Sequence, residues 1–136
     1  MIGLSGITMA DVTSSGGVAT DSTTNLQWQD DYNDNSGNIK SATWTDAIAY
    51  CDNLELGGKT DWRLPNKNEL ISIVDYTKTS EVFLDGFTKV SSGHFWSSTT
   101  YADNDDTAWN VNFGYGYANT NNKTTDYSVR CVRAGL

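Results

Sequence analysis

Apolar and polar positions change period along this chain, and the changes mark its elements. Two short runs, Gly17-Val18-Ala19-Thr20 and Asn25-Leu26-Gln27-Trp28-Gln29, flank the polar segment Asp21 to Thr24. Such runs around turn residues predict a hairpin with Leu26 and Trp28 on one face. The pattern then becomes helical. Trp44, Ala47, Ile48, Cys51 and Leu54 form one apolar stripe, with Thr43 as N-cap, Asp46 at the third helical position and Gly57-Gly58 as the stop. Leu70, Ile73 and Val74 predict a second helix ending near Tyr76. The segment 77–92 reads as a loop that tucks Val82, Phe83, Leu84 and Phe87 against the core. Strands are expected over 95–99, 108–113, 115–119 and 127–133. In the second of these, alternation turns Trp109, Val111 and Phe113 toward the core and Asn110 and Asn112 outward. In the last, Tyr127, Val129 and Cys131 point inward, leaving Ser128 and Arg130 on the opposite side. Two early helices followed by an antiparallel sheet predict the α+β class.

The stretch that organises the chain lies between the two helices. Asp61-Trp62-Arg63-Leu64-Pro65-Asn66-Lys67-Asn68-Glu69-Leu70 holds the only proline. Pro65 cannot donate to a sheet ladder and forces Leu64 to be extended, so the strand of Trp62 to Leu64 ends there. Asn66 and Glu69 have the spacing of a capping box. Trp62 and Leu64 share one face while Arg63 points the other way and calls for a carboxylate, from Asp61 or Glu69. These residues read as a strand–turn–helix corner of the core rather than as a catalytic site. Trp62, Arg63, Pro65, Trp96 and Trp109 are therefore assigned structural roles.

A chain of 136 residues is long enough for one domain with a real core. We divide it into a tail or edge strand over 1–16 and a single domain over 17–136. Nine Lys and Arg against seventeen Asp and Glu give a net charge of −8, which argues against nucleic acid, anionic lipid or sulfated polysaccharide held by bulk electrostatics. No apolar run has the length of a membrane span. Met1 to Ala10 lacks a basic n-region and is short for a signal peptide, so a leader has been removed or the chain was cut from something longer.

Candidate chemistry is sparse. Asp31, Asn33 and Asn35 alternate as in a calcium loop, but the glycine comes one place late at Gly37, and Ala42 stands where the bidentate glutamate belongs. No metal site and no cofactor are expected. Cys51 and Cys131, the only cysteines, both lie on inward faces, so one bridge is the economical reading, with two free buried thiols in a cytosolic protein as the alternative. There is no C-x-x-C and no phosphate loop, and any histidine-dependent triad would have to use His94, whose neighbours read as a strand entry. These residues do not point to an enzyme.

Leu26-Gln27-Trp28-Gln29, Trp44 to Cys51, Leu56 to Asn66, Phe95 to Thr99, Ala108 to Phe113 and Val129 to Arg133 together resemble the Lcl C-terminal domain family, named for the Legionella collagen-like adhesin. The resemblance covers nearly everything after Gly17. It implies a C-type-lectin-like fold with paired terminal strands, two helices and long irregular loops feeding a small antiparallel sheet. It also implies a disulfide from the first helix to the last strand, which suits Cys51 and Cys131. Calcium-dependent sugar binding is not carried over, because the one proline precedes a helix instead of sitting in a calcium loop. The Trp-Arg-Leu-Pro corner also resembles the formylglycine-generating enzyme fold, but that chemistry needs two active cysteines and both here read as structural.

The best-supported expectation is a non-enzymatic recognition module, extracellular or on a bacterial cell surface, with a protein or glycan as partner. From Tyr101 to Ser128, 21 of 28 residues are Tyr, Asp, Asn, Thr, Ser or Gly. That palette resembles an antibody paratope and the variable proteins diversified by retroelements. Tyr101, Asp103, Asp105, Asn110, Tyr115, Tyr117, Asn119, Asn121 and Asp126 are predicted to form one exposed patch, with Tyr115 and Tyr117 as anchors. The alternative is a structural or adhesion module at the tip of a larger bacterial surface protein, for which a homo-oligomer such as a trimer is one arrangement that a solution mass would separate from a monomer.

Overall fold

The computed structural model describes residues 12–135, so residues 1–11 of the expected tail or edge strand over 1–16 lie outside the described residues, while 12–15 form a strand. The described chain forms nine strands and two α-helices, an α+β arrangement consistent with a small C-type-lectin-like domain. The elements are β1 (Val12–Ser15), β2 (Val18–Asp21), β3 (Leu26–Gln29), β4 (Ser41–Ala42), α1 (Trp44–Asp52), α2 (Lys67–Ile71), β5 (His94–Thr100), β6 (Thr107–Asn112), β7 (Tyr117–Asn122), β8 (Tyr127–Ser128) and β9 (Val132–Ala134).

One sheet has the order β1-β2-β3-β9, which ties the C-terminal strand to the hairpin near the start. That hairpin, β2–β3, is the expected one, with Val18 opposite Gln29 and Asp21 opposite Leu26. Its turn is closed by Asn25 N–H donating to Asp21 O at 2.8 Å, with Asn25 in the left-handed region that a short amide side chain tolerates. The second sheet runs β4-β8-β5-β6-β7, antiparallel except for a single parallel pair, Phe95 with Ser128.

The Trp-Arg-Leu-Pro corner joins the two halves. Arg63 pairs its backbone with Val132 in both directions, at 2.9 and 2.8 Å, and Ser98 N–H donates to Pro65 O at 2.7 Å. Trp62 and Leu64 are buried, and Trp62 Nε1 donates to Leu56 O. Arg63 forms a two-pronged pair with Glu69, both bonds 2.7 Å, while Asp61 instead receives Arg133. The Asn66–Glu69 capping box is present in full. Arg63 beside it holds the Glu69 carboxyl below its ordinary range.

Four expectations need correction. Thr43 occupies the N-cap of α1, but its side chain makes no capping bond; the Trp44 N–H is met by Lys123 O at 3.0 Å instead. The helix ends at Asp52, and Gly57-Gly58 builds a later turn in which Leu56 and Lys59 bond each other both ways. Both glycines have positive φ, 63° and 74°, the combination that a two-residue turn of the primed type demands. The second helix stops at Ile71, well before Tyr76, and Val74 leaves it to bridge Phe83. The last predicted strand is broken, because Val129 N–H bonds Lys40 O on one side while Cys131 O accepts from Gln29 N on the other. Residues 129–131 thus cross between the sheets.

Two apolar clusters follow from this layout. One gathers Trp28, Leu70, Ile73, Val82, Phe83, Phe95, Val111 and Phe113; Leu84 and Phe87 pack against it, as expected of the 77–92 loop. The other surrounds the Cys51–Cys131 disulfide with Ala47, Leu54, Trp62, Leu64, Trp96 and Val129. Arg130, placed on the polar side by alternation, is fully buried. Its guanidinium lies over Phe87 and Phe83 at 4.6 and 4.8 Å and donates to the Gln29 and Lys89 carbonyls and to Asp30. The alternation rule fails because the 77–92 loop covers that side as well.

The same loop meets β1 closely at Gly86, where φ is 113° and an added Cβ would stand 2.0 Å from Val12 O. Gly86→Ala is therefore expected to lower stability by about 2–3 kcal/mol through backbone strain and the clash together. Urea unfolding of the variant checks this.

Candidate functional site

The tight turn from β6 to β7 builds the most distinctive surface of the domain. Gly116 N–H donates to Asn112 O at 2.6 Å and Gly114 N–H to Asn112 Oδ1 at 2.7 Å, so Asn112 holds the turn from both ends. Gly116, at φ 93°, supplies a conformation that other residues rarely adopt. It also lets the backbone come close to its neighbours: a Cβ there would lie 2.9 Å from Val74 Cγ1 and 3.2 Å from the Tyr76 ring. Tyr115 and Tyr117 flank this glycine, with ring centroids 5.9 Å apart. Tyr76, Tyr115 and Tyr117 are the exposed large hydrophobic residues of the described chain, at 69, 74 and 51%. Three exposed tyrosines therefore converge on one glycine.

Beside them lies a cleft of ≈ 290 Å³ lined by Thr79, Ser80, Ser92, His94, Asn112, Gly114 and Tyr115. Its imidazole is held in place from behind. His94 Nδ1 lies 2.8 Å from Asn110 Oδ1, and Asn110 Nδ2 donates to Asn121 Oδ1 at 2.9 Å. Because the amide oxygen only accepts, Nδ1 carries a proton, and in the neutral ring Nε2 is left as an acceptor. The imidazole also stacks on Tyr127, centroids 4.8 Å apart and planes within 16°.

The nine residues of the predicted patch do not lie together. Tyr117, Asn119 and Asn121 share the face of the β6–β7 ladder that carries Asn110. Asn110 itself is fully buried rather than exposed, since it forms the bridge from His94 to Asn121, and Asn112 is buried by its role in the turn. Tyr101 sits edge-on to Trp109, rings 5.6 Å apart, on the opposite face. Trp109 is only half-buried, with Lys67 Nζ 4.1 Å from its ring centroid, so it covers the core margin rather than filling the core. Asp103 and Asp105 are exposed in the β5–β6 loop, and Asp126 is exposed in the β7–β8 turn. Those loops meet at the other end of the hairpin, where Lys123 N–H bonds Asp106 O and Lys123 Nζ bonds Asp105 O. Five residue-to-residue steps along the six-residue β6, at about 3.3 Å each, put roughly 17 Å between the ends. Tyr76, Thr79, Ser80, Ser92 and His94 were not foreseen as site residues. Their one sequence signal is that His94 precedes the core-facing Phe95 and so points to the other side of β5.

The acidic 30–38 loop uses its polar groups internally. Asp31 accepts from the Asn33 N–H at 2.7 Å, and Asp34 accepts from the Tyr50 hydroxyl at 3.1 Å. Burial, with Asp34 adding to it, raises the Tyr50 hydroxyl pKa well above the phenol range. Among the described residues no group of three or more His, Cys, Asp and Glu is arranged to hold a metal ion. Millimolar Ca²⁺ is expected to leave the melting temperature unchanged, and a chelator-reversible rise of many degrees would contradict this. No helix among the described residues is long and apolar enough to cross a membrane.

A search of curated proteins finds no match to this chain. A scan against family models does find one, the Lcl C-terminal domain, over residues 17–133. That span contains both sheets from β2 onward except the last residue of β9, the disulfide and the tyrosine-flanked cleft, and the chain belongs to the Lcl C-terminal domain family.

Proposed function

We propose that this domain is a non-enzymatic ligand-recognition module of adhesin type, working outside the cell or on its surface, and that it binds through the β6–β7 turn. The observation that carries this is the convergence of exposed Tyr76, Tyr115 and Tyr117 beside a preformed polar cleft. Tyrosine gives large contact area at low conformational cost, and aromatic residues dominate binding hot spots. Rigid backing by the Asn112 turn and the His94–Asn110–Asn121 chain reduces the ordering needed on binding. Both thiols are joined in a disulfide, so neither is available as a nucleophile, and the bridge suits an oxidising compartment.

Binding of the labelled domain to a printed array of oligosaccharides and extracellular-matrix proteins tests the reading. Tyr115→Ser with Tyr117→Ser is expected to weaken the bound signals at least about tenfold, near 1.4 kcal/mol, while stability stays within about 0.5 kcal/mol. An array that retains nothing, or retains native and variant equally, overturns the proposal. The Tyr, Asn, Asp and Thr content of 101–128 also supports a surface varied by a retroelement; a near-copy repeat beside the gene, differing mainly at adenines, is the outcome expected of that origin.

A further inference from the structure

We propose that the cleft beside the β6–β7 turn binds an uncharged pyranose ring of a glycan, without a metal ion. This rests on the recognition reading above and names the ligand class for the same surface.

The chemistry of the lining selects the class. Thr79, Ser80 and Ser92 bring hydroxyls, Asn112 an amide and His94 an imidazole, and among the described residues no Lys, Arg, Asp or Glu lines the cleft. A sulfated, phosphorylated or sialylated ligand would want a cationic partner for its anion, and the whole chain, at −8, repels polyanions. A cationic ligand would want a carboxylate. A neutral polyol wants neither; it needs donors and acceptors side by side, because each sugar hydroxyl both gives and takes a hydrogen bond. The cleft has that pairing. Asn112 Oδ1 is already occupied by Gly114 N–H, which leaves Nδ2 to donate, while His94 Nε2 in the neutral ring accepts. Serine and threonine hydroxyls serve in either role.

Shape points the same way. A pyranose has a C–H face that packs on an aromatic ring and a hydroxyl rim that seeks polar groups. Tyr115 lines the cleft itself, with Tyr117 5.9 Å beyond it and Tyr76 across Gly116, so the aromatic wall adjoins the polar floor. At ≈ 290 Å³ the cleft sits at the small end of ligand pockets, about 300–1,000 Å³. That suits one ring better than a helix or a folded epitope. A protein partner would favour a broad convex or flat aromatic surface, and the concavity between Ser92, His94 and Tyr115 argues against it.

The test is amide-resolved NMR of the 136-residue chain titrated with methyl glycosides of glucose, galactose, mannose and N-acetylglucosamine. At least one is expected to shift the amides of Gly93, Gly114 and Tyr115 saturably, with a dissociation constant of about 1–10 mM, as suits a single ring. Tyr115→Ala should weaken it at least about tenfold and His94→Ala at least about fivefold, and chelator should change nothing. Absence of saturable shifts at those amides with every probe overturns the inference. So does a preference for sulfated or sialylated rings, or a requirement for calcium. Periodate oxidation of the array separates the two readings. Signals that survive it but fall with Tyr115→Ser and Tyr117→Ser leave recognition standing and remove the sugar. Signals indifferent to both tyrosines remove recognition itself.

Discussion

Replacing Arg130 by methionine is expected to cost about 3–5 kcal/mol, the range for breaking a buried ion pair by removing one partner. The side chains of Arg130 and Asp30 are both fully inaccessible, with Nη1 3.3 Å from Asp30 Oδ1. Methionine keeps the bulk under Phe83 and Phe87, so the loss reports charge and hydrogen bonding rather than a cavity. It strips the Gln29 and Lys89 carbonyls of a donor and leaves the Asp30 carboxylate without its cation. Asp30 keeps the hydroxyls of Ser14 and Thr88 and the N–H groups of Thr88 and Lys89, at 2.6 to 3.0 Å. Asp30→Asn should therefore recover part of the loss in the Arg130→Met background, because the amide oxygen still accepts while the buried charge is gone. Urea midpoints of the two single variants and the double variant measure the coupling. Equal, additive losses would mean that the pair does not act as a unit.

The same carboxylate gives the domain an acid sensitivity of defined sign. Burial alone would raise the Asp30 pKa, but the bonds from Ser14, Lys89 and Thr88 outweigh it and hold the group below its ordinary value. A carboxyl depressed on folding stabilises the native state above its unfolded pKa, near 3.9, and that contribution is lost as pH falls through the folded value. Glu69, held low by Arg63, has the same sign. Stability should be flat above about pH 5 and fall below about pH 4; in Asp30→Asn the fall should be shallower.

Local chemistry was readable in the chain and long-range partnership mostly was not, the Cys51–Cys131 bridge between the only two cysteines being the exception. Asn66 and Glu69 announce their capping box because the whole device spans four residues, and the β2–β3 hairpin is set by its own turn. Arg130 misleads for the opposite reason. Alternation along 127–133 assigns it to a solvent side, but Phe83 and Phe87, more than forty residues earlier, fold over that side and Asp30 waits a hundred residues away. At the candidate site, composition identified Tyr115 and Tyr117, which are exposed as expected. It did not separate them from Asp103, Asp105 and Asp126, because both ends of the hairpin use the same small polar alphabet. Tyr76, Ser92 and His94 join the site only through the packing of Gly116 on Tyr76 and the register that sets His94 opposite Asn112. Neither is written in a local pattern.

Reducing or removing the Cys51–Cys131 bridge is expected to lower stability by about 4 kcal/mol. The cysteines are 80 residues apart, and in the chain-entropy picture a loop of that size restricts the unfolded ensemble by about 4–4.5 kcal/mol. The bridge also fastens a short helix to the crossing between the sheets. Helix α1 is nine residues long and has only Ala47 and Cys51 fully buried, and residues 129–131 are the crossing between the sheets. Cys51→Ala with Cys131→Ala should lower the melting temperature by roughly 12–20 °C, at a few degrees per kcal/mol for a domain of this size. Peptide mapping under non-reducing conditions should recover one linked pair from the native chain. If the double variant melts within a few degrees of the native protein, the unfolded chain is already compact and loop entropy is not what the bridge supplies. Because the tyrosine-flanked turn lies in the other sheet half, on Val74 and Asn112 rather than on α1, the variant should keep whatever ligand affinity the native domain has at temperatures where it remains folded. Loss of that affinity without unfolding would show that the bridge also positions the β5–β8 pair on which His94 and Tyr127 stack.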